Sequence, residues 1–367
     1  MTIAGLAATA LVAERLPPFG GRSDGERKSK IDASPLFQNG KAQNLIHTSL
    51  AMNRHYYGAI KRYVRGGQEP EVAIPVLQPS FPQIPSSELT ATWLGHSSIV
   101  LEVDGVRIIT DPVLSERASP LSVMGPRRFH PAPVIADRLP PVDAILISHD
   151  HYDHLDMKTV QAIAANGVQF IVPLGVGAHL QAWDVPSAQI TELEWWDETV
   201  IKGLRIVCTP ARHFSGRGLT DRNRTLWASW AVIGDTQRAW FSGDTGAFPQ
   251  AIEIGEKLGP FDLTMIEIGA YDKAWESVHL GPDEAYAMNQ KVRGRAMFPT
   301  HWGTFNLAAH RWDQPIIRLM AVARDGKVPL MVPVAGERQL ARQPKVHSFW
   351  RERERIWNEL GRDTLDE

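Results

Sequence analysis

Short apolar runs follow one another along the chain from Glu88 onward, and each has the length of a buried strand. The first runs are LTATWLG, SSIVLEV, VRIITDP and VDAILIS, and the break at Asp104 and Gly105 indicates a hairpin turn. Later runs are VQFIVP, LRIVCTP, LWASWAVI, RAWFSGD, LTMIEIG and RAMFPTHWG, and they alternate with helical patterns such as MKTVQAIAANG, PQAIEIGEKLG and PDEAYAMNQKV. A strand meander followed by alternating strands and helices predicts a layered α/β protein.

Three regions of the chain differ in pattern. Residues 1–87 form an N-terminal extension, which we interpret as an arm that wraps the main domain. From residue 14 to residue 88 the chain is rich in Pro, Gly and charge, with one predicted helix around AQNLIHTSLAMNRHYYGAIKRYVRG. Residues 88–345 carry the strand and helix patterns and form that main domain. Residues 346–367 include RERERIWNELGRD, whose mixed charge at helical spacing predicts a solvated helical tail.

Composition narrows the function classes. A formal net charge of -2 argues against a nucleic acid held on a broad basic surface. The single cysteine, Cys208, excludes an intrachain disulfide and a multi-cysteine zinc site, and its apolar surroundings predict a buried thiol.

The sequence gives little sign of membrane insertion or export. No apolar run reaches the roughly 20 residues that a membrane-spanning helix needs. Residues 1–13 resemble the apolar core of a signal peptide but lack its basic start. We therefore expect a cytoplasmic or peripheral membrane location.

The segment SHDHYDHLD, residues 148–156, concentrates titratable side chains directly after an apolar strand. A lone histidine is usually a surface or core residue, but His149, His151, Asp153 and His154 form the spacing His-x-His-x-Asp-His. On a turn, residues i and i+2 can converge on one ion while the adjacent Asp-His pair faces a second point. The spacing therefore indicates metal ligands.

Three later strands each end in a further candidate ligand. His213 follows LRIVCTP, Asp244 follows RAWFSG, and His301 follows RAMFPT. Ligands so distant in sequence meet only if the strand ends share one rim of the sheets. Together with the four candidate ligands of the segment 148–156 they make seven ligands, which is enough for two divalent ions. All are nitrogen or oxygen donors, so we expect Zn²⁺, with Mn²⁺ or Fe²⁺ as alternatives.

This ordered set of ligands resembles the metallo-β-lactamase fold superfamily in its binuclear hydrolase form. The motifs TWLGHSS, TDPV, GPRRFHPAP, HFSGRGLTDRNRTLWASW, SGDTG, HLGPDEA and HWGTF resemble the branch containing N-acyl phosphatidylethanolamine-hydrolysing phospholipase D and its bacterial relatives. The resemblance covers about residues 88–335. It implies a four-layer αβ/βα sandwich with two metals on one edge.

The resemblance also implies roles for the ligands. His149, His151 and His213 would hold the first ion, Asp153, His154 and His301 the second, and Asp244 would bridge them. Two such ions can share one water and lower its pKa to about 7, so the expected nucleophile is a metal-bridging hydroxide. On this basis the candidate catalytic residues are Asp153, Asp244 and His279. His279 is included because it matches a family position implicated in phosphate contact.

Other residues near the motifs are candidates for supporting roles. His96 and Asp111 follow strands and are expected to orient ligating histidines, although either could cap a turn. Arg217 is a candidate for binding an anionic substrate group, whereas Arg222 and Arg224 are expected to brace the loop by ion pairs. Trp302, with Trp195 and Trp196, is expected to form an apolar cleft wall. His310 stands where the relatives tend to carry an acidic residue, which leaves substrate identity open.

The expected substrate is a phosphodiester such as an N-acyl phosphatidylethanolamine or a related phospholipid. The alternative on the same fold is a lactonase or other ester hydrolase. A flavodiiron oxidoreductase is disfavoured because His151 is not a carboxylate, and a nuclease is disfavoured by the charge balance. A non-catalytic metal-binding protein is a further alternative. The expected partners are a small-molecule or lipid substrate, a membrane surface and a second copy of the chain, without nucleic acid.

Overall fold

The computed structural model describes residues 16–49 and 55–361. The candidate targeting segment at residues 1–13 lies outside this part of the chain. The described strands are β1 Phe37–Gln38, β2 Lys41–Ala42, β3 Thr90–Gly95, β4 Ser98–Val103, β5 Val106–Thr110, β6 Ala144–Leu146, β7 Gln169–Pro173, β8 Ile190–Leu193, β9 Glu198–Ile201, β10 Leu204–Thr209, β11 Ser229–Ile233, β12 Arg238–Phe241, β13 Leu263–Glu267, β14 Met297–Thr300 and β15 Arg338–Leu340.

The described helices are mostly short and lie between the strands. They are α1 Gly25–Ala33, α2 Tyr56–Arg65, α3 Met157–Ala164, α4 Gly177–Ala182, α5 Ala251–Leu258, α6 Pro282–Lys291, α7 Gln314–Val322 and α8 Ser348–Glu359. Short 3-10 turns occur at Pro17–Phe19, Ala136–Arg138, Ser187–Gln189 and Ala323–Asp325.

Two large mixed sheets form the centre of the molecule. The seven-stranded sheet has the order β15-β3-β4-β5-β6-β7-β8, and the six-stranded sheet has the order β14-β13-β12-β11-β10-β9. Strands β3, β4 and β5 pair antiparallel through the predicted hairpin, whereas β5 to β8 are parallel. In the second sheet, β12, β13 and β14 are parallel. The predicted meander followed by alternating strands and helices is confirmed.

The layers follow from the two-residue period of the strands. In β4, Ile99 and Leu101 face the core shared by the two sheets, while Val100 faces the opposite side. There it joins Val160 and Ile163 of helix α3 in a separate apolar cluster. Helix α6 packs on β13 of the other sheet. Helices thus cover the sheets from outside, and the predicted α/β sandwich is confirmed.

The C-terminal helix corrects one expectation. Trp350, Arg353 and Trp357 are buried on one face of α8, and Trp350 packs in the central core. Arg353 donates to the buried Asp313 and to Glu71, whose carboxylate also accepts from Trp312. The prediction of a solvated tail was wrong for this face because positions i, i+3 and i+7 share one side of a helix.

The N-terminal region also departs from the sequence pattern. Within the helix predicted around residues 42–66, the structure shows α2, and residues 50–54 lie outside the described part. Helix α1 was not predicted. Ile31 and Ala59 are buried contacts of these two helices. Among the described residues, no helix is both long and apolar enough to cross a membrane.

Candidate metal centre

One rim of the two sheets carries the predicted ligands together with His96, which was predicted to orient them. His96 directly follows β3, His149 lies just beyond β6, and His213 lies beyond β10. Asp244 lies beyond β12 and His301 directly follows β14. Open α/β sheets place ligand sites at the carboxyl ends of their strands, and here both sheets contribute to one site.

The loop SHDHYDHLD divides its titratable residues between two tasks. Asp156 caps α3 by accepting from the backbone N–H of Lys158. Asp150 is buried and accepts from the backbone N–H of Gly216 and from the Thr225 hydroxyl. These two aspartates fix the backbone, which leaves the third aspartate and the three histidines of the loop for the centre.

The first cluster of candidate ligands is His149, His151, His213 and Asp244. His151 Nδ1 lies 2.8 Å from His149 Nε2 and 3.3 Å from His213 Nε2. Asp244 Oδ2 lies 3.9 Å from His149 Nε2 and 3.8 Å from His213 Nε2. Two nitrogens on a tetrahedral Zn²⁺ with bonds of about 2.0–2.1 Å lie roughly 3.3 Å apart, so this cluster fits one ion.

The second cluster is His96, Asp153, His154 and His301. Asp153 Oδ2 lies 3.0 Å from His96 Nε2, 3.2 Å from His301 Nε2 and 3.5 Å from His154 Nε2. Asp244 also reaches this cluster, at 3.1 Å from His154 Nε2 and 3.0 Å from His301 Nε2. Asp244 therefore lies between the two clusters, where the resemblance places a bridging ligand.

Hydrogen bonds at the far side of the His154 and His213 rings orient these two ligands. Asp111 Oδ2 lies 2.7 Å from His154 Nδ1, so His154 Nε2 faces the centre. His213 Nδ1 donates to the Val278 carbonyl at 2.9 Å. Asp111 therefore has the contact predicted for an orienting residue. His96 instead contacts the Asp153 carboxylate and lies close enough to be a ligand itself.

The electrostatics of the clusters favour bound cations. Burial lowers the pKa of His149 and of His213 well below the ordinary value, so both are neutral, as ligands must be. Burial also lowers the pKa of His301, but the Asp244 and Asp153 carboxylates together outweigh burial and raise that pKa to about 10. The carboxylates thus stabilise positive charge here, which divalent ions would supply in place of protons.

The backbone is strained at several residues of the centre. His96, Asp111 and His301 have φ of 54°, 35° and 63°, a region that side chains other than glycine seldom adopt. A Cβ on Gly269 would lie 2.0 Å from the His301 carbonyl oxygen, so glycine is required beside that ligand. Strain of this kind persists where surrounding packing fixes the site.

A family model described as a β-lactamase superfamily domain matches residues 106–302. The chain belongs to the metallo-β-lactamase superfamily. The resemblance inferred from the motifs is confirmed, and together with the two clusters it identifies a centre for divalent metal ions.

Similar proteins agree with this membership. An uncharacterized protein of Mycobacterium tuberculosis is 49% identical over 333 residues, which are 87% of this chain and 88% of that protein. N-acyl-phosphatidylethanolamine-hydrolyzing phospholipase D 1 of Caenorhabditis elegans is 43% identical over 231 residues, which are 60% of this chain and 65% of that protein. The structure of Igni18, a metallo hydrolase from Ignicoccus hospitalis, matches this chain with a TM-score of 0.52 at 22% sequence identity. The match covers 68% of this chain and 97% of the Igni18 chain, and it shows that the two share a fold.

A third cluster in this superfamily member contains a residue that the sequence analysis missed. It joins Asp244 and His301 to Glu267 and His279. Burial raises the pKa of Glu267 well above its usual value, and the Asp244 charge adds to the effect. Burial lowers the pKa of His279 to about 4. A carboxylate inside the apolar run LTMIEIG was the available signal, since Glu is seldom fully buried.

Arg217 does not have the surroundings predicted for a substrate contact. Its side chain is buried, and its guanidinium donates to the carbonyls of Pro18, Asp150 and Leu155. It also lies over the Tyr152 ring at 4.1 Å. Arg217 therefore acts as a brace, because every nitrogen that could reach a ligand is used within the protein.

Arg222 and Arg224 were expected to brace this loop by ion pairs. Both are exposed, and Arg222 lies over the Phe214 ring instead, at 5.4 Å. In residues 16–49 and 55–361 neither forms an ion pair. The bracing function belongs to the buried Arg217 because it reaches three carbonyls in two separate segments, Pro18 and the loop of Asp150 and Leu155.

Trp302 and Trp195 do not form the predicted cleft wall. Trp302 is buried, donates to the Pro299 carbonyl and stacks on Trp93 with ring centroids 5.3 Å apart. Trp195 is buried and donates to the Trp227 carbonyl. These side chains fill the core, where packing of both sheets requires large apolar groups. Trp302 is thus a correction to the predicted substrate contacts.

His310 lies beside the loop that begins at Ala270. Its Nε2 accepts from the backbone N–H of Ala270 at 2.9 Å, and its Nδ1 donates to the Arg311 carbonyl at 2.9 Å. The Tyr271 ring stacks on it with centroids 4.7 Å apart. His310 therefore supports the loop that leads to His279, and both of its ring nitrogens are used within the protein.

Proposed function

We propose that this metal-dependent hydrolase cleaves a phosphodiester, with an N-acyl phosphatidylethanolamine or a related phospholipid as the substrate class. The observation that carries the proposal is the pair of ligand clusters joined by Asp244, with His279 at their edge. The identity to the phospholipase D of C. elegans supports the same substrate class.

Two divalent ions per chain are part of the proposal. His149, His151 and His213 would hold one ion, Asp153, His154 and His301 the other, with Asp244 between them. The donor set lacks thiolates and suits Zn²⁺, Mn²⁺ or Fe²⁺, and we propose Zn²⁺ as the native metal. Bound ions would supply Lewis-acid charge for the phosphoryl oxygen and strengthen water as a nucleophile at neutral pH.

The residues of the chain contribute orientation and proton handling. Asp111 fixes the His154 ring, the Val278 carbonyl fixes the His213 ring, and the Ser148 hydroxyl lies 2.9 Å from His149 Nδ1. Cys208 is fully buried, and burial raises the pKa of its thiol well above the usual value. We therefore propose water as the nucleophile, and we propose that His279 contacts the phosphoryl or leaving group.

A peripheral membrane contact belongs to the same proposal. On helix α2, Tyr57, Ile60 and Val64 share one face and are 78%, 48% and 79% exposed. Arg62 of this helix pairs with Asp272 at 2.6 Å, in the loop that leads to His279. Exposed apolar side chains on a helix rich in Lys and Arg are typical of segments that lie on anionic lipid surfaces.

Vesicle sedimentation tests the membrane contact. We expect the full chain to bind vesicles of an anionic phospholipid and the variant Tyr57→Ser/Ile60→Ser/Val64→Ser to bind at least tenfold more weakly. Val200→Ser, at a residue 60% exposed on β9, is the control and should bind as the parent protein does. Equal binding by the triple variant would contradict the contact. A homodimer remains a prediction.

Substrate class is tested with metal-loaded protein on phospholipids, a soluble phosphodiester and a lactone. We expect phosphodiesters to have the higher kcat/KM, and His279→Ala to lower it by about 10²-fold, as removal of a proton-transferring group does. His47→Ala, at an exposed histidine, is the matched control. Faster lactone hydrolysis, with both rates unchanged in His279→Ala, would replace the proposal with a lactonase.

A further inference from the structure

Glu267 ends strand β13 and is completely buried, yet it makes no ion pair with Lys or Arg within the described residues. Its Oε1 accepts from the backbone N–H of Thr245, the residue that follows Asp244. Its Oε2 lies 2.8 Å from His279 Nδ1. The hydroxyl of Ser242 accepts from the Glu267 backbone N–H at 3.1 Å. The carboxyl group is therefore held in one orientation by the segment beyond β12 and by the loop before α6.

This contact decides which ring atom of His279 faces the substrate. Nδ1 is occupied by Glu267, and Nε2 has no protein hydrogen bond in the part of the chain that the structure describes. The side chain is 14% exposed and borders a cavity of about 260 Å³, which Tyr271, Lys273 and Arg318 also line. Nε2 is thus the ring nitrogen of His279 that remains available to a bound molecule.

A buried carboxyl group at this position lowers the stability of the protein unless its charge is compensated, so packing alone does not explain why Glu is present here. Every other residue of MIEIG is apolar or glycine, and an uncompensated buried charge destabilises a protein strongly. A Glu–His pair without net charge avoids that cost. Such a pair carries a hydrogen on Nε2 whichever of Oε2 and Nδ1 holds the shared one.

We propose that Glu267 is the positioning residue for His279, aiming its Nε2–H at the oxygen of the leaving group. The inference rests on the proposed phosphodiester hydrolysis. As water bonds to phosphorus, the P–O bond to the leaving group breaks and its electron pair goes to the leaving oxygen. That oxygen takes the proton from Nε2, and the attacking water returns one proton to the pair, so no further reactant is required.

Two substitutions of Glu267 separate the effect of its hydrogen bonds from the effect of its side-chain size. In Glu267→Gln, the amide oxygen still accepts from Thr245, and the amide NH₂ must then donate to Nδ1, which keeps the hydrogen on Nε2. In Glu267→Leu both contacts are lost. We expect Glu267→Gln to keep kcat within about tenfold and Glu267→Leu to lose about 10²-fold or more on an alkyl phosphodiester, mainly in kcat.

The leaving group provides a readout that a merely structural role would not change. A 4-nitrophenolate needs no proton on departure, whereas an alkoxide does. We expect Glu267→Leu to lose less than tenfold on a 4-nitrophenyl phosphodiester, with metal content unchanged. Glu102→Gln, at a buried carboxylate held by Arg107 and Arg338 in the other sheet, should lower stability and affect both esters equally.

Equal losses on both esters in Glu267→Leu, or no loss on either, would overturn the inference while leaving the proposed function intact. The ring is also observed directly by ¹⁵N NMR of histidine-labelled, zinc-loaded protein. We expect one His279 tautomer with hydrogen on Nε2 in the parent chain and in Glu267→Gln, and a mixture in Glu267→Leu. If no phosphodiester is hydrolysed, the proposed function fails, and an unchanged His279 spectrum in Glu267→Leu would separately reject the positioning role.

Discussion

Replacing Arg217 with Met tests whether this side chain braces the metal-binding loop or contacts substrate. Met keeps an apolar stem beside the Tyr152 ring but cannot donate hydrogen bonds. The carbonyls of Pro18, Asp150 and Leu155 then lose their charged donor, whose contacts are 2.6 to 3.1 Å long. Because Asp150 lies between His149 and His151, the change loosens the backbone beneath the first ligand cluster.

The loss of stability in Arg217→Met can be calculated from the three carbonyls that lose their hydrogen-bond donor. Each lost partner costs about 1–1.5 kcal/mol, which gives about 3–5 kcal/mol in the free energy of unfolding. At about 2.1 cal/mol/K per residue, the entropy of unfolding of a 367-residue chain converts this into a fall in Tm of about 4–6 °C.

Thermal unfolding and steady-state kinetics measured together decide the question. For Arg217→Met we expect the fall in Tm together with weaker metal retention, and less than a threefold change in KM for an anionic phosphodiester. Arg222→Met, at an exposed arginine of the same loop, should leave Tm unchanged. An unchanged Tm for Arg217→Met with a tenfold rise in KM for the anionic substrate alone would refute the bracing role.

Four further outcomes are expected. Asp111→Asn should weaken metal binding by about 10–100-fold in a chelator competition, because the His154 ring loses its orienting carboxylate; unchanged affinity would contradict that role. Asp244→Asn should retain less metal by elemental analysis than His154→Ala, since Asp244 touches both clusters, and the reverse order would argue against a shared ligand. Cys208→Ser should keep most activity while losing about 1–3 kcal/mol of stability, because it buries a hydroxyl in an apolar strand, and inactivation of the folded variant would restore the thiol as a candidate nucleophile. Burial raises the pKa of Glu71, but its hydrogen bonds and arginine neighbours lower it from 4.5 to about 2. The stabilising effect of Glu71 is therefore present above pH 4.5 and is lost as the pH falls towards 2. Glu71→Gln should be less stable than the parent protein at pH 6, and urea unfolding measured against pH should show this difference shrinking between pH 4.5 and pH 2.

The sequence was sufficient to identify the sheets and the candidate ligands because both depend on local patterns. An apolar run of four to eight residues predicts a strand wherever it packs, and a His or Asp just beyond it lies at the strand end. The spacing of His149, His151 and Asp153 is likewise a property of one loop. Motifs around them were specific enough to indicate the superfamily before any distance was known.

Contacts between distant segments could not be predicted in this way. Arg217 looked available to an anion until folding placed Pro18 and the loop of Asp150 around it. Trp302 looked like a cleft residue until Trp93 and Trp350 enclosed it. Whether a polar or aromatic side chain faces solvent, core or substrate depends on which remote segment packs against it, and a single sequence does not contain that information locally.

Glu267 shows the same division within one residue. Its sequence neighbours fixed it as a charged position in an apolar strand, which signals an unusual environment. Only the tertiary structure decided its partner, because His279 reaches it from the loop before α6 and Thr245 from the end of β12. Secondary structure and ligand type follow from interactions between near neighbours in the chain, whereas the orientation of His279 depends on hydrogen bonds that exist only after separate strands have packed side by side.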